Sequence, residues 1–188
     1  MSSDKVVKFL SGLPQFVGFK ESELESFTFL LSRIKLEKNK VLFEQGTTAD
    51  SFYIIENGII QIKLDSLAGR KDTIGRLSRG MLVGEISMLS DKSRAMTVVA
   101  ETNCNLYRVD KAAFDVLVAN MDPVAYKILM NISLYCCDRL RKVNALVLDC
   151  IEKPFSENEY KIEKGVENLS IISRVGELLK QFNIGVEN

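Results

Sequence analysis

The chain has 188 residues, 46% hydrophobic and 27% charged, the balance of a soluble globular domain rather than a disordered or membrane-spanning one. Its 25 basic residues cancel its 25 acidic ones, so no net field draws it to nucleic acid or anionic lipid. Histidine is absent, which excludes histidine-ligated metals, Ser-His-Asp triads and Cys-His nucleophile pairs and argues against an enzyme.

Residues 5–36 carry Val6, Phe9, Leu10 and Leu13, then Leu24, Phe27, Leu30 and Leu31, at helical spacing, so N-terminal helices are expected throughout. Pro14 and Gly18 interrupt the run, and Ser22 is placed to cap a second helix starting at Glu23. From Leu36 the apolar period changes to two. Short strands are expected at 41–43, 51–56, 59–64, 73–77, 95–100 and 105–109, with Gly46, Asn57-Gly58, Gly69, Gly80 and Thr102-Asn103 between them. This spacing predicts a compact antiparallel sandwich or roll, and Asn57-Gly58 signals a tight hairpin.

After Asp110 the helical period returns. One helix is expected over 111–120, and a longer one with Pro123 in its first turn runs to about Lys153, where Pro154 stops it. Leu129, Ile132, Cys136, Leu140, Val143, Val147 and Cys150 form a stripe along it, a seam for the chain's own roll or for a second chain. Beyond it lies one amphipathic pattern, Leu169, Ile172, Val175, Leu179 and Phe182. Cys104, Cys136, Cys137 and Cys150 show no CxxC spacing and read as reduced, core-filling thiols. No signal-peptide pattern and no apolar run of about 18 residues is present, so a cytoplasmic chain is expected.

The most informative stretch is 83–100. Gly84 permits close backbone approach, residues 85–89 can form one helical turn whose free N–H groups favour an anion, and Arg94 can grip a phosphate in bidentate fashion. Glu85 is an acceptor suited to a sugar hydroxyl. These residues together suit a small phosphorylated sugar. Gly75 and Gly80 imitate a phosphate loop, but Met81-Leu82 follows where Lys-Ser/Thr is required, so nucleoside triphosphates are excluded.

Gly84, Glu85, Ile86, Ser87, Met88 and Leu89, followed by Arg94, Ala95 and Thr97, resemble the phosphate-binding cassette of the cyclic nucleotide-binding domain family. That family includes the catabolite activator protein and the regulatory subunits of cyclic-AMP-dependent protein kinase. The likeness extends through Phe43, Gly46, Asp50, residues 52–55, Gly58 and Gly80, and covers roughly 5–150. Val83 stands where the family has phenylalanine, Ser93 where it has proline, and Asn39 where it often has glycine in a turn.

The resemblance implies an α+β, mainly β fold: an antiparallel β-roll or jelly roll (a double-stranded β-helix) flanked by N-terminal helices and a long C-terminal helix. The domain would span 1–153, with helices over 5–36, the roll over 37–110 and helices over 111–153; a C-terminal extension with one amphipathic helix would fill 154–188. By carry-over, Gly84 and Glu85 bind the ribose, and Arg94 binds the cyclic phosphate with Ile86, Ser87 and Ala95. Ile62 and Leu64 supply apolar contacts to sugar and base, and Asn144 is a candidate base contact. Cyclic AMP is preferred to cyclic GMP, because cyclic-GMP-selective relatives carry threonine where Ala95 stands.

The function implied is a non-catalytic cyclic nucleotide sensor without metal or other cofactor. It would relay binding from Met88 and Leu89 to the 111–153 helices, and a homodimer or partner protein would engage the 123–153 helix. No DNA or membrane partner is expected. Two alternatives compete: a transcription-factor-like chain lacking its DNA-binding domain, and a ligand-free scaffold in which Glu85 and Arg94 merely pair.

Overall fold

The computed structural model describes residues 3–65, 71–90 and 93–152. The described residues up to Tyr135 belong to one compact unit, and those over 136–152 to a second.

The chain opens with α1 (Ser3–Ser11), which buries Val7 and Leu10, a 3-10 turn at Pro14–Phe16, and α2 (Glu21–Thr28), which buries Leu24 and Phe27. Phe16 packs on Phe27 with ring centroids 5.1 Å apart. Ser22 is not the cap of α2. Lys20 holds the extended N-cap conformation, and its backbone N–H donates to Glu23 Oε2 at 2.7 Å, so the stretch uses the glutamate three residues on rather than a serine hydroxyl.

Helix does not extend to residue 36. Leu31–Leu36 is a strand, β1, paired antiparallel from Leu31↔Val109 to Leu36↔Cys104. Leu31 and Ile34 are spaced as on a helix and Ile34 and Leu36 as on a strand, so the apolar pattern does not choose, and the available partner strand decides between them. The roll therefore begins at Leu31, six positions before the expected boundary.

The remaining strands are β2 (Val41–Phe43), β3 (Ser51–Asn57), β4 (Ile60–Asp65), β5 (Lys71–Leu77), β6 (Leu82–Val83), β7 (Thr97–Ala100) and β8 (Cys104–Asp110). They form two four-stranded sheets, in the orders β1-β8-β3-β6 and β2-β7-β4-β5, with every pair antiparallel. Ile55, Ile60, Val98, Ala100, Leu106 and their neighbours make the core between them. The expected antiparallel roll is the observed fold.

Among the described strands, only β4 and β5 are sequence neighbours that pair, so Asn57-Gly58 does not close a hairpin. It is a corner at which the chain leaves the β3 sheet and enters the β4 sheet. Asn57 keeps the corner closed, its Oδ1 accepting the Asn105 N–H at 3.0 Å.

A polar cluster joins β1, β3 and β8. Arg33 donates through Nε and Nη2 to Glu56 Oε2, and the Tyr107 hydroxyl donates to Glu56 Oε1 at 3.0 Å. Burial, then the hydrogen bond and charge of Glu56, raise the Tyr107 phenol from its ordinary 10.0 to about 12. Because the folded value lies above the unfolded one, this stabilisation is complete below pH 10 and is lost as pH climbs towards 12. Alkaline unfolding curves should show a loss on the order of 2 kcal/mol across that window, absent in Tyr107→Phe.

After the roll come α4 (Lys111–Ala119) and α5 (Pro123–Glu152), whose bounds agree with expectation to within a residue or two. Lys127 fastens α5 to the N-terminal helices. Its Nζ lies 2.7 Å from both Glu23 oxygens and donates to the Gly18 carbonyl at 3.2 Å, while Asn131 Nδ2 donates to the carbonyls of Gln15 and Val17. This ion pair holds the Glu23 carboxyl below its usual range. Of the expected α5 stripe, Ile132 is buried and Leu129 half-buried, whereas Leu140 and Val143 are exposed. Cys104 is a buried free thiol, but Cys136 is only half-buried and Cys137 exposed, so Cys137 fills no core. The amphipathic pattern of the expected 154–188 extension lies outside the described residues, as do the side chains of Met88, Val147 and Cys150.

Candidate functional site

Strand β6 ends at Val83, and Gly84 turns the chain with φ +83° into α3 (Glu85–Leu89), for which it is the N-cap. Positive φ is one reason for glycine here. Space is the other: a Cβ on Gly84 would stand 2.5 Å from Arg94 Nη1 and 3.4 Å from the Phe43 ring. Gly84→Ala should therefore cost about 1–2 kcal/mol of stability and displace the guanidinium, which urea unfolding and ligand titration would register.

Arg94 is pinned by its backbone. Its N–H donates to the Thr47 carbonyl at 2.8 Å, its carbonyl accepts the Gly46 N–H at 2.8 Å, and Thr97 Oγ1 accepts the Gln45 N–H at 3.0 Å. The 45–47 turn thus fixes where the side chain enters the roll.

That side chain is buried, the residue being only 2% exposed. Nη1 donates to the Gly84 carbonyl at 3.2 Å, and Nη2 to Ser51 Oγ at 3.2 Å and to Asp50 Oδ1 at 3.4 Å. The guanidinium carbon sits 4.1 Å from the centroid of the Phe43 ring. Nε is buried and has no hydrogen-bond partner among the described residues. Desolvation lowers the Arg94 pKa, and the nearby Tyr53 and Asp50 oppose that shift. Among the described residues, the ion pair of this buried cation is one long contact to an exposed carboxylate, an arrangement that suits an anion.

The expected site residues group as follows. Gly84, Glu85, Ser87 and Arg94 come together at the β6–α3 junction; Glu85 is 3% and Ser87 6% exposed. Ser87 Oγ accepts the Ala95 N–H at 3.3 Å, tying the start of the cassette to its end. Ile86 and Ala95 have exposed side chains, so any part they play in holding an anion falls to their backbone. Ile62 is buried in the core between the sheets and Leu64 is half-buried further along β4. Asn144 is exposed on the part of α5 that belongs to the second unit.

The surroundings of Arg94, namely Asp50, Ser51, Phe43 and Tyr53, were not assigned site roles from sequence. One signal for them exists: Ser51 is a polar residue opening a run of five buried positions in β3, and it is fully buried.

Residues 33–121, just under half of the chain, match the family model described as the cyclic nucleotide-binding domain. Acetyltransferase Pat of Mycolicibacterium smegmatis is 33% identical over 109 residues, which are 58% of this chain and 32% of Pat. The chain thus spans about a third of that curated relative's length. Among solved structures, a cyclic nucleotide-binding domain from Methylobacillus flagellatus superposes with a TM-score of 0.70 at 19% identity, covering 82% of this chain and 86% of that one. A regulatory subunit from Trypanosoma brucei, described as belonging to a cAMP-independent protein kinase A, gives 0.60 at 20% identity, covering 73% and 51%. Both show the fold.

Proposed function

We propose that the chain is a non-catalytic sensor that binds 3′,5′-cyclic AMP in the β6–α3–β7 cassette. The supporting observation is Arg94: a buried guanidinium whose ion pair, among the described residues, is one long contact to an exposed carboxylate, beside buried Glu85 and Ser87 at the positions the family cassette assigns to ribose and phosphate. In this reading Arg94 takes the cyclic phosphate, with Ser87 and the backbone of Ile86 and Ala95 around it. Gly84 and Glu85 take the ribose, and Ile62 and Leu64 line the sugar and base side. Ala95 offers no hydroxyl to a guanine amino group, which favours adenine.

Binding would draw the cassette inward and move Leu89 against the helices that follow the roll. A signal results only if the nucleotide prefers one helix position over another. Tyr126, Met130 and Leu134, exposed four residues apart along α5, are the surface that a partner protein or second copy would cover. The described residues contain no helix long and apolar enough to cross a membrane, and a cytoplasmic location is part of this reading.

Because a structural neighbour carries a cAMP-independent description, the test is calorimetric titration with cyclic AMP, cyclic GMP and guanosine, after denaturing a sample to check for carried-over nucleotide. Cyclic AMP binding at about micromolar affinity or tighter supports the reading. Stronger binding of guanosine or cyclic GMP overturns the adenine preference, and binding of none by an empty, folded chain overturns the sensor.

A further inference from the structure

Arg94 is among the largest fully buried side chains. Asp50 reaches it only at 3.4 Å, is 65% exposed, and also pairs with Arg108 at 3.3 Å. A carboxylate so solvated and so shared offsets little of the cost of burying a guanidinium.

The rest of the surroundings form a closed circuit. Phe43 presents its ring to the guanidinium at 4.1 Å. Phe43 in turn stacks on Tyr53, with centroids 6.1 Å apart and planes inclined by 26°. The Tyr53 hydroxyl is 2.9 Å from Ser51 Oγ, and Ser51 Oγ accepts from Arg94 Nη2. The backbone is adapted to this arrangement at two points. The β2–β7 register shifts between Val41 and Phe43, a break in the ladder at the residue that carries the ring. Gly84, lacking Cβ, leaves room for both the ring and Nη1.

We infer that Phe43 is a positioning residue for Arg94. Its aromatic face, backed by Tyr53, holds the buried guanidinium in one orientation, so that an incoming phosphate meets a cation already aimed. The requirement is for the ring and not its volume, since a leucine fills similar space but offers no negative face to a cation. This role rests on the nucleotide reading above and names what that reading's main cation depends on.

The test uses the full chain with Phe43→Leu, Phe43→Met, Phe43→Tyr, Arg94→Met and the Phe43→Leu/Arg94→Met double variant. Two quantities are read: cyclic AMP affinity, and the unfolding equilibrium constant without nucleotide as a double-mutant cycle. Phe43→Leu and Phe43→Met should weaken cyclic AMP about 5- to 30-fold, whereas Phe43→Tyr stays within about threefold of wild type. In the cycle, Phe43→Leu should raise the unfolding constant about 3- to 10-fold more beside Arg94 than in the Arg94→Met background. Equal affinity in all three Phe43 variants, or an additive cycle, overturns the role of Phe43 while leaving nucleotide binding standing. A wild-type chain that binds no cyclic nucleotide overturns the sensor reading, and the ligand-serving role of Phe43 with it.

Discussion

Arg94→Met is expected to abolish cyclic AMP binding, by about a hundredfold or more, while leaving the unliganded chain within about 1 kcal/mol of wild-type stability. The loss of binding follows from what a guanidinium does for a phosphate. Charge-assisted, bidentate hydrogen bonds to a phosphate are among the strongest interactions a single side chain makes, and methionine keeps none of them. The unchanged stability follows from the local cost of the charge. Burial already disfavours the charged form of Arg94, Nε lacks a partner among the described residues, and the carboxylate of Asp50, with which it pairs, is mostly in water. Exchanging a buried ion of this kind for an apolar side chain of similar length is often neutral or stabilising. Urea unfolding with and without nucleotide reads both at once: wild type should gain about 2.7 kcal/mol at a ligand concentration one hundred times Kd, and the variant nothing. A variant destabilised by several kcal/mol without ligand would make Arg94 a structural residue first.

Gly58→Ala is expected to be the most damaging single methyl in the roll, at about 3 kcal/mol. Gly58 sits at φ +94°, and a Cβ there would meet Cys104 Sγ at 2.5 Å, the Asn103 carbonyl at 2.8 Å and Cys104 Cα at 2.9 Å. Two of those three atoms are backbone, so the side chain cannot relieve the clash by turning aside, and positive φ adds strain for any residue with a Cβ. Thermal unfolding would check it. A loss below about 1 kcal/mol would show that the corner between the sheets is softer than its close packing indicates.

The same corner shows what a local pattern can and cannot specify. Asn57-Gly58 was legible as a sharp turn, because both residues tolerate unusual backbone angles and apolar runs lie on either side. Its meaning was not legible. A hairpin and a sheet-to-sheet corner place the same demands on the two turn residues, and they differ only in which strands lie alongside. β3 pairs with β6 and β8, and β4 with β7 as well as its neighbour β5; apart from β4–β5, these registers match residues far along the chain. Leu31–Leu36 makes the point for an element type: one apolar spacing there is helical and the next is that of a strand, and pairing with β8 selects the strand.

The candidate site divides along the same line. Gly84, Glu85, Ser87 and Arg94 stand within eleven residues, and their types and order carry chemistry, so the cassette could be read before any fold was known. Phe43, Asp50 and Ser51 reach the guanidinium from β2, the residue before β3 and the start of β3, some forty to fifty residues upstream, and Tyr53 backs Phe43 and Ser51.

By itself the sequence determined the class of fold, the boundaries of the helices after the roll, the lack of any imidazole and which residues are candidates for the proposed phosphate cassette. Each of these depends on composition, on periodicity or on neighbours close along the chain. The tertiary structure decided the strand partners, the corner at Asn57-Gly58 and the aromatic and hydroxyl surroundings of Arg94. Those depend on which distant segments the antiparallel registers bring within a few ångströms, and no local property of the chain encodes that.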